Sequence, residues 1–160
     1  LKLSLILKDA LAKKDRMVIA DKEKIKEVLI NLIGNSLKFT PEKGTITLHF
    51  EKRDNEIFTH VTDTGRGIDV KDLSTLFTKF GMIEGSYATN KKASGTGLGL
   101  YISKSIIDLH QGTISVASEG IGKGSTFSVS LLKYSAEAFK KMAKKSHQGT
   151  VDIIHTPLTS

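Results

Sequence analysis

"GTITLHFEKRDNEIFTHVTDTGRGI", residues 44–68, alternates twice between apolar and polar side chains. Ile46, Leu48 and Phe50 share one side of the first run; Ile57, Thr59, Val61 and Asp63 share one side of the second. Asp54–Asn55 between them is a turn signal, so the stretch reads as a β-hairpin. Strand parity points Asp63 toward the layer that holds Val61. A buried carboxylate needs a partner. The exocyclic amine of a purine would serve; so would a plain turn in which Asp63 caps a helix. Gly65 and Gly67 then permit a sharp turn and a close backbone approach.

Upstream, Asp21 is placed to cap a helix that runs to about Phe39 and stops at Pro41 and Gly44. Ile25, Val28, Leu29, Leu32 and Ser36 follow helical spacing. Leu1, Leu3, Leu5 and Leu7 predict a strand with one strongly apolar face, and "RMVIA" (16–20) a second short strand. Downstream, a short helix is expected at 69–75 and an aperiodic polar loop at 81–95. A helix follows at 97–110, with Leu98, Ile102, Ile106 and Leu109 as its apolar stripe. Strands at 112–118 and 125–133 precede a basic helix near 135–145, whose apolar face is Ala136, Phe139, Met142 and Ala143, and then a tail. The sum is an α+β protein. It is a two-layer α/β sandwich, with a mixed, mostly antiparallel sheet and about three helices on one face.

A length of 160 residues fits one domain, or one domain with a tail. Cysteine is absent, which removes disulfides and Cys metal sites. No run approaches the roughly 18–20 apolar residues of a membrane span. The chain begins inside a strand-like pattern without Met, and so reads as an excised cytoplasmic portion of a larger protein. The net charge of +7 suits an anionic ligand, or simply a solvated basic surface. Interleaved exposed aromatics and a recognition motif, which a nucleic-acid binder would offer, are missing.

Asn31, Asn35 and Lys38 stand at i, i+4 and i+7 on one helix face. An amide oxygen there can serve a hard cation such as Mg²⁺, and Lys38 can neutralise phosphate; an exposed polar stripe is the alternative. In "SGTGLGLYIS" (94–103), Gly95, Gly97 and Gly99 precede or open a helix. Backbone N–H groups at such a start can hold an anion, and the same glycines can form a hinge. The spacing is neither a dinucleotide fingerprint nor a P-loop.

Taken in order, "NLIGNSLKFT", "DTGRGI", "LFTKF", "GTGLGL" and "GKGSTF" resemble the N, G1, F, G2 and G3 boxes of the catalytic ATP-binding domain of two-component sensor histidine kinases. The resemblance covers residues 1–132 and leaves 133–160 as a basic helix and tail. It implies a Bergerat-type ATP sandwich, shared with DNA gyrase, a heat-shock chaperone and mismatch-repair ATPases, with an ATP lid at about 81–95. It implies ATP and Mg²⁺ as ligands, with Asn35 holding the metal and Asn31 and Lys38 assisting at the phosphates. Phe39 would pack near the nucleotide, and Asp63 would accept the adenine amine. Gly65, Gly67 and Ile68 would shape the adenine pocket, and the Ser125 hydroxyl would lie beneath the base. Gly95, Thr96, Gly97, Leu98, Gly99 and Leu100 would form the phosphate turn at the lid hinge. Phe77 and Phe80 would anchor the lid, with Tyr87 against ribose or packing within it.

The implied partners are a histidine-bearing dimerisation domain and, downstream, a response regulator. Nucleic acid and membrane contact are not implied for the domain itself. Water-splitting relatives carry a Glu where this chain has Asn31, so phosphoryl transfer fits better than hydrolysis. An ATP-binding sensor without transfer, or a related ATPase, is the alternative. The lid lacks Arg and offers Lys79, Lys91 and Lys92 instead. His49, His60, His110, His147 and His155 read as structural or exposed, with His110 suited as a cation to a helix C-terminus. A phosphorylated histidine is therefore expected on a separate domain.

Overall fold

The computed structural model describes residues 3–81 and 97–146. Five strands form one sheet: β1 (Ser4–Asp9), β2 (Thr45–Arg53), β3 (Glu56–Asp63), β4 (Ile114–Ala117) and β5 (Ser125–Leu132). Their order is β1-β2-β3-β5-β4. Only β1–β2 is parallel; the other three pairings are antiparallel. That is the mixed, mostly antiparallel sheet expected, and Asp54, with φ +49°, turns the central hairpin.

The parallel pair needs a crossover, which α1 (Lys22–Phe39) supplies. Asp21 caps α1, its carboxylate accepting from the Lys24 N–H at 3.0 Å. Val28, Leu32 and Ser36 turn inward and are buried. α2 (Gly99–Leu109) packs antiparallel beside α1: the Asp21 N–H donates to His110 Nε2 at 2.9 Å, while Asn31 Nδ2 donates to Ser103 Oγ at 3.0 Å. The core between helices and sheet holds Val28, Leu32, Ile46, Val61, Ile68, Leu76, Ile106, Ile107, Phe127, Val129 and Leu131.

Several expectations change. Residues 16–20 make one bridge, Val18 to Lys133, instead of a strand, because α1 begins directly after them. The 69–75 helix is a 3₁₀ helix over Val70–Thr75. The two C-terminal strands are shorter than expected, at 114–117 and 125–132. α2 starts at Gly99, since Gly97 has φ +68°. Its inward residues are Ser103, Ile106 and Ile107, whereas Ile102 and Leu109 are exposed. The small Ser103 takes the slot where Asn31 approaches. Of the expected apolar face, Leu3 packs against the core just before β1 and Leu1 lies outside the described residues, whereas among the described residues nothing covers β1 itself: every residue of this edge strand is exposed, Leu5 by 64% and Leu7 by 66%. α3 (Ala136–Ser146) carries the basic helix, with Met142 buried and the Tyr134 and Phe139 rings 6.3 Å apart. Among the described residues, no helix is long and apolar enough to cross a membrane.

Candidate functional site

β3 and β5 end and begin at the same margin of the sheet, where Asp63 is the cross-strand neighbour of Ser125. The second half of α1 lies over this margin. Asp63 is 4% exposed, on the inner face as parity requires. Its Oδ1 accepts from the Gly65 N–H at 2.8 Å. Its Oδ2 accepts from Ser125 Oγ at 2.7 Å and from Ser36 Oγ at 3.3 Å. The charge is thereby satisfied inside the protein without a cationic side chain, as a buried carboxylate demands.

The turn that follows is held by backbone. The Arg66 N–H donates to Phe39 O at 3.1 Å, and the Gly122 and Gly124 N–H groups donate to Arg66 O and Gly65 O at 2.6 and 3.1 Å. Gly67 combines φ +71° with a position where a Cβ would collide with the Gly120 carbonyl. Only glycine satisfies both demands. Ile68 is in the core and its N–H donates to Ser118 Oγ at 3.0 Å. Phe39 lies under two cations, Lys38 Nζ at 5.2 Å and Arg66 Cζ at 5.4 Å from the ring centre. Those are cation–π distances.

On α1, Asn31 is spoken for: besides its bond to Ser103, its Oδ1 fills the space where a Cβ on Gly99 would stand. The absence of that Cβ lets the first turn of α2 lie against α1. Asn35, one turn on, is half-buried, and its side chain makes no hydrogen bond among the described residues. A free amide oxygen beside Lys38 is a hard ligand of the kind Mg²⁺ takes, with phosphate and water completing its shell. Among the described residues there is no cluster of three or more His, Cys, Asp or Glu that could hold a metal alone. Leu98, the N-cap of α2, gives its helix no side-chain cap, so among the described residues the first N–H groups of α2 remain for another acceptor.

The structure thus joins Asp63, Gly65 and Ser125 to the end of α1 through Ser36 and Phe39, and places Asn31, two turns earlier on α1, against Gly99 at the start of α2. Leu100 packs against the core. Phe77 does likewise, whereas Phe80 is 61% exposed at φ +61°, with Lys79 Nζ 5.5 Å from its ring centre. Tyr87, Gly95 and Thr96, Lys91 and Lys92, and the expected lid apart from Gly81 lie outside the described residues.

The histidines sit elsewhere. His49 and His60 stack at 5.8 Å on the opposite face of the sheet, where His60 Nδ1 meets Ser128 Oγ at 2.7 Å. Burial holds the His60 imidazole below its usual pKa, against the pull of Glu51. His110 is structural, as expected: its Nε2 accepts the Asp21 N–H at 2.9 Å, and its Nδ1 lies 2.7 Å from Ile106 O. His147 and His155 lie outside the described residues.

Ser36, Ser103, Ser118 and Arg66 join the site without having been singled out in the sequence. Ser36 did leave a signal, a hydroxyl inside the apolar stripe of α1, which a buried face tolerates only with a partner.

Residues 20–135 match the family model described as histidine kinase-, DNA gyrase B- and HSP90-like ATPase. The chain is 42% identical over 111 residues to the circadian input-output histidine kinase CikA of Thermosynechococcus vestitus, a span of 69% of this chain and 15% of that protein. It is 37% identical over 120 residues to the sensor protein SrrB of Staphylococcus aureus, covering 75% of this chain and 20% of SrrB. The nucleotide-free catalytic domain of histidine kinase ThkA superposes with a TM-score of 0.66 at 30% identity, covering 82% of this chain and 80% of that one. The chain spans only a fifth or less of these curated relatives.

Proposed function

The chain belongs to the histidine kinase-, DNA gyrase B- and HSP90-like ATPase family, and from that premise we propose that it binds ATP with Mg²⁺ and presents the γ-phosphoryl group to a histidine on a separate dimerisation domain. A response regulator would receive the phosphoryl group in turn. The observation that supports this reading most is the loaded Asp63 carboxylate, set across from an unpartnered Asn35 over one margin of the sheet.

Each residue has a task in this reading. Asp63 accepts the adenine amine. Phe39 offers a ring face to the base, and Lys38 leaves that ring to meet phosphate. The open N–H groups at the start of α2 hold phosphate oxygens. Asn35 would hold Mg²⁺ through its amide oxygen, and the bound metal supplies charge neutralisation at the transferring phosphoryl group. Asn31 offers no base to water, being a neutral amide whose Nδ2 donates to Ser103. Transfer to an incoming histidine, which brings its own nucleophile, therefore fits better than hydrolysis.

Calorimetric titration with ATP, with and without Mg²⁺, tests the binding half. Wild type binds in a Mg²⁺-dependent manner, and Asn35→Ala abolishes that dependence. Incubation with γ-labelled ATP and a supplied histidine-bearing dimerisation domain tests the transfer half. Acid-labile label on that domain is the expected result. Absence of transfer at saturating ATP–Mg²⁺ would leave a binding module without kinase activity.

A further inference from the structure

We infer that Ser36 is a positioning residue for purine selection: its hydroxyl fixes the Asp63 carboxylate so that Oδ1, and not Oδ2, receives the amine of the base. This rests on the ATP reading above and deepens it.

A carboxylate offers about four lone-pair positions, two on each oxygen. Oδ2 uses both, on Ser125 Oγ and Ser36 Oγ, at 2.7 and 3.3 Å. Oδ1 uses one, on the Gly65 N–H at 2.8 Å. One position on Oδ1 stays open. Three donors from three elements (α1, the turn after β3, and β5) set the plane of the group. Ser36 is 1% exposed, so water cannot replace its hydroxyl cheaply. A serine within a helix usually bonds back to its own helix or faces solvent. Here it reaches across to the sheet instead. Its neighbour in sequence is Asn35, the residue proposed to hold Mg²⁺, so adjacent positions of α1 would serve the two ends of the nucleotide.

Without Ser36 the carboxylate keeps its charge and two donors but loses the one from the helix. It can then turn about its last bond, which costs the ligand amine its aligned acceptor. A hydrogen bond to a charged group carries enough free energy for roughly a tenfold change in affinity.

The test is calorimetric affinity for two probes, ATP and purine riboside triphosphate, which lacks the 6-amino group. Wild type, Ser36→Ala and Asp63→Asn are compared, with thermal midpoints recorded. Ser36→Ala is expected to weaken ATP about tenfold and to leave the amine-free triphosphate unchanged. Equal losses for both probes would mean a packing role only, and no loss for either would mean no role; each overturns the inference. Suppose wild type separates the probes and Asp63→Asn does not. If Ser36→Ala separates them as widely as wild type does, the inference falls and the ATP reading stands. If wild type itself does not separate the probes, the adenine assignment of Asp63 falls, and the inference with it.

Discussion

Asp15 is a second carboxylate with little access to water, and its partners differ from those of Asp63. Lys133 Nζ stands 2.6 Å and Lys52 Nζ 3.4 Å from the same oxygen, so three distant segments meet at one charge. The hydrogen bond from Lys133 pulls the Asp15 carboxyl below its ordinary pKa of 3.8; Lys52 adds to this and burial opposes it. A carboxyl depressed in the folded state stabilises that state above its unfolded pKa, and the benefit fades as acid protonates it. Urea unfolding at neutral pH should therefore find Asp15→Asn less stable than wild type. The gap should close as pH falls below 3.8. A gap that persists unchanged into strong acid would assign Asp15 a packing role. The contrast is chemical: Asp63 accepts from two hydroxyls and one backbone N–H, which leaves room on one oxygen for a ligand, while two ammonium groups enclose Asp15.

The pairing of α1 with α2 is tied at both ends. At one end the cap of α1 and the last turn of α2 share His110; at the other Asn31 touches Ser103 and the Gly99 backbone. Asp21→Ala removes a helix cap and is expected to cost about 1 kcal/mol. His110→Ala strips the Asp21 N–H of its acceptor and should cost about 1–3 kcal/mol. Since both act at one junction, the double variant should lose less than the sum, measured by denaturant titration. α1 was legible from sequence because an Asp cap, a long 3.6-residue period and Pro41 all agree. α2 was legible as a helix but not in its rotation. Ile102, Ile106 and Ile107 are equally apolar, and which of them turns inward depends on Asn31 needing a small neighbour at Ser103. The same limit hid Ser36: its period placed it inward, but its partner lies 27 residues away on another element.

At the scale of the whole molecule, the end of β3, the start of β5 and the end of α1 meet at one margin of the sheet, while the start of α2 lies against α1 at Asn31; the nucleotide proposed there would span sheet and helices together. Strand parity was enough to place Asp63 and Ser125 on one face. It could not reveal the strand order, and hence not that β1 ends the sheet. Alternation in β1 reads the same for a covered strand and a bare one. Being bare has a consequence for handling. Among the described residues no strand pairs with the outer rim of β1, beside Leu5, Ile6 and Leu7, and Lys8 follows them as a cationic guard. Colloidal repulsion from the net charge of +7 opposes contact between such rims at low ionic strength. Salt screens that repulsion, so turbidity on concentration should rise with added NaCl rather than fall. Leu7→Lys should suppress the rise without lowering the unfolding midpoint. The shelf life of concentrated samples would then be governed by one strand on the far side of β2 from β3 and β5.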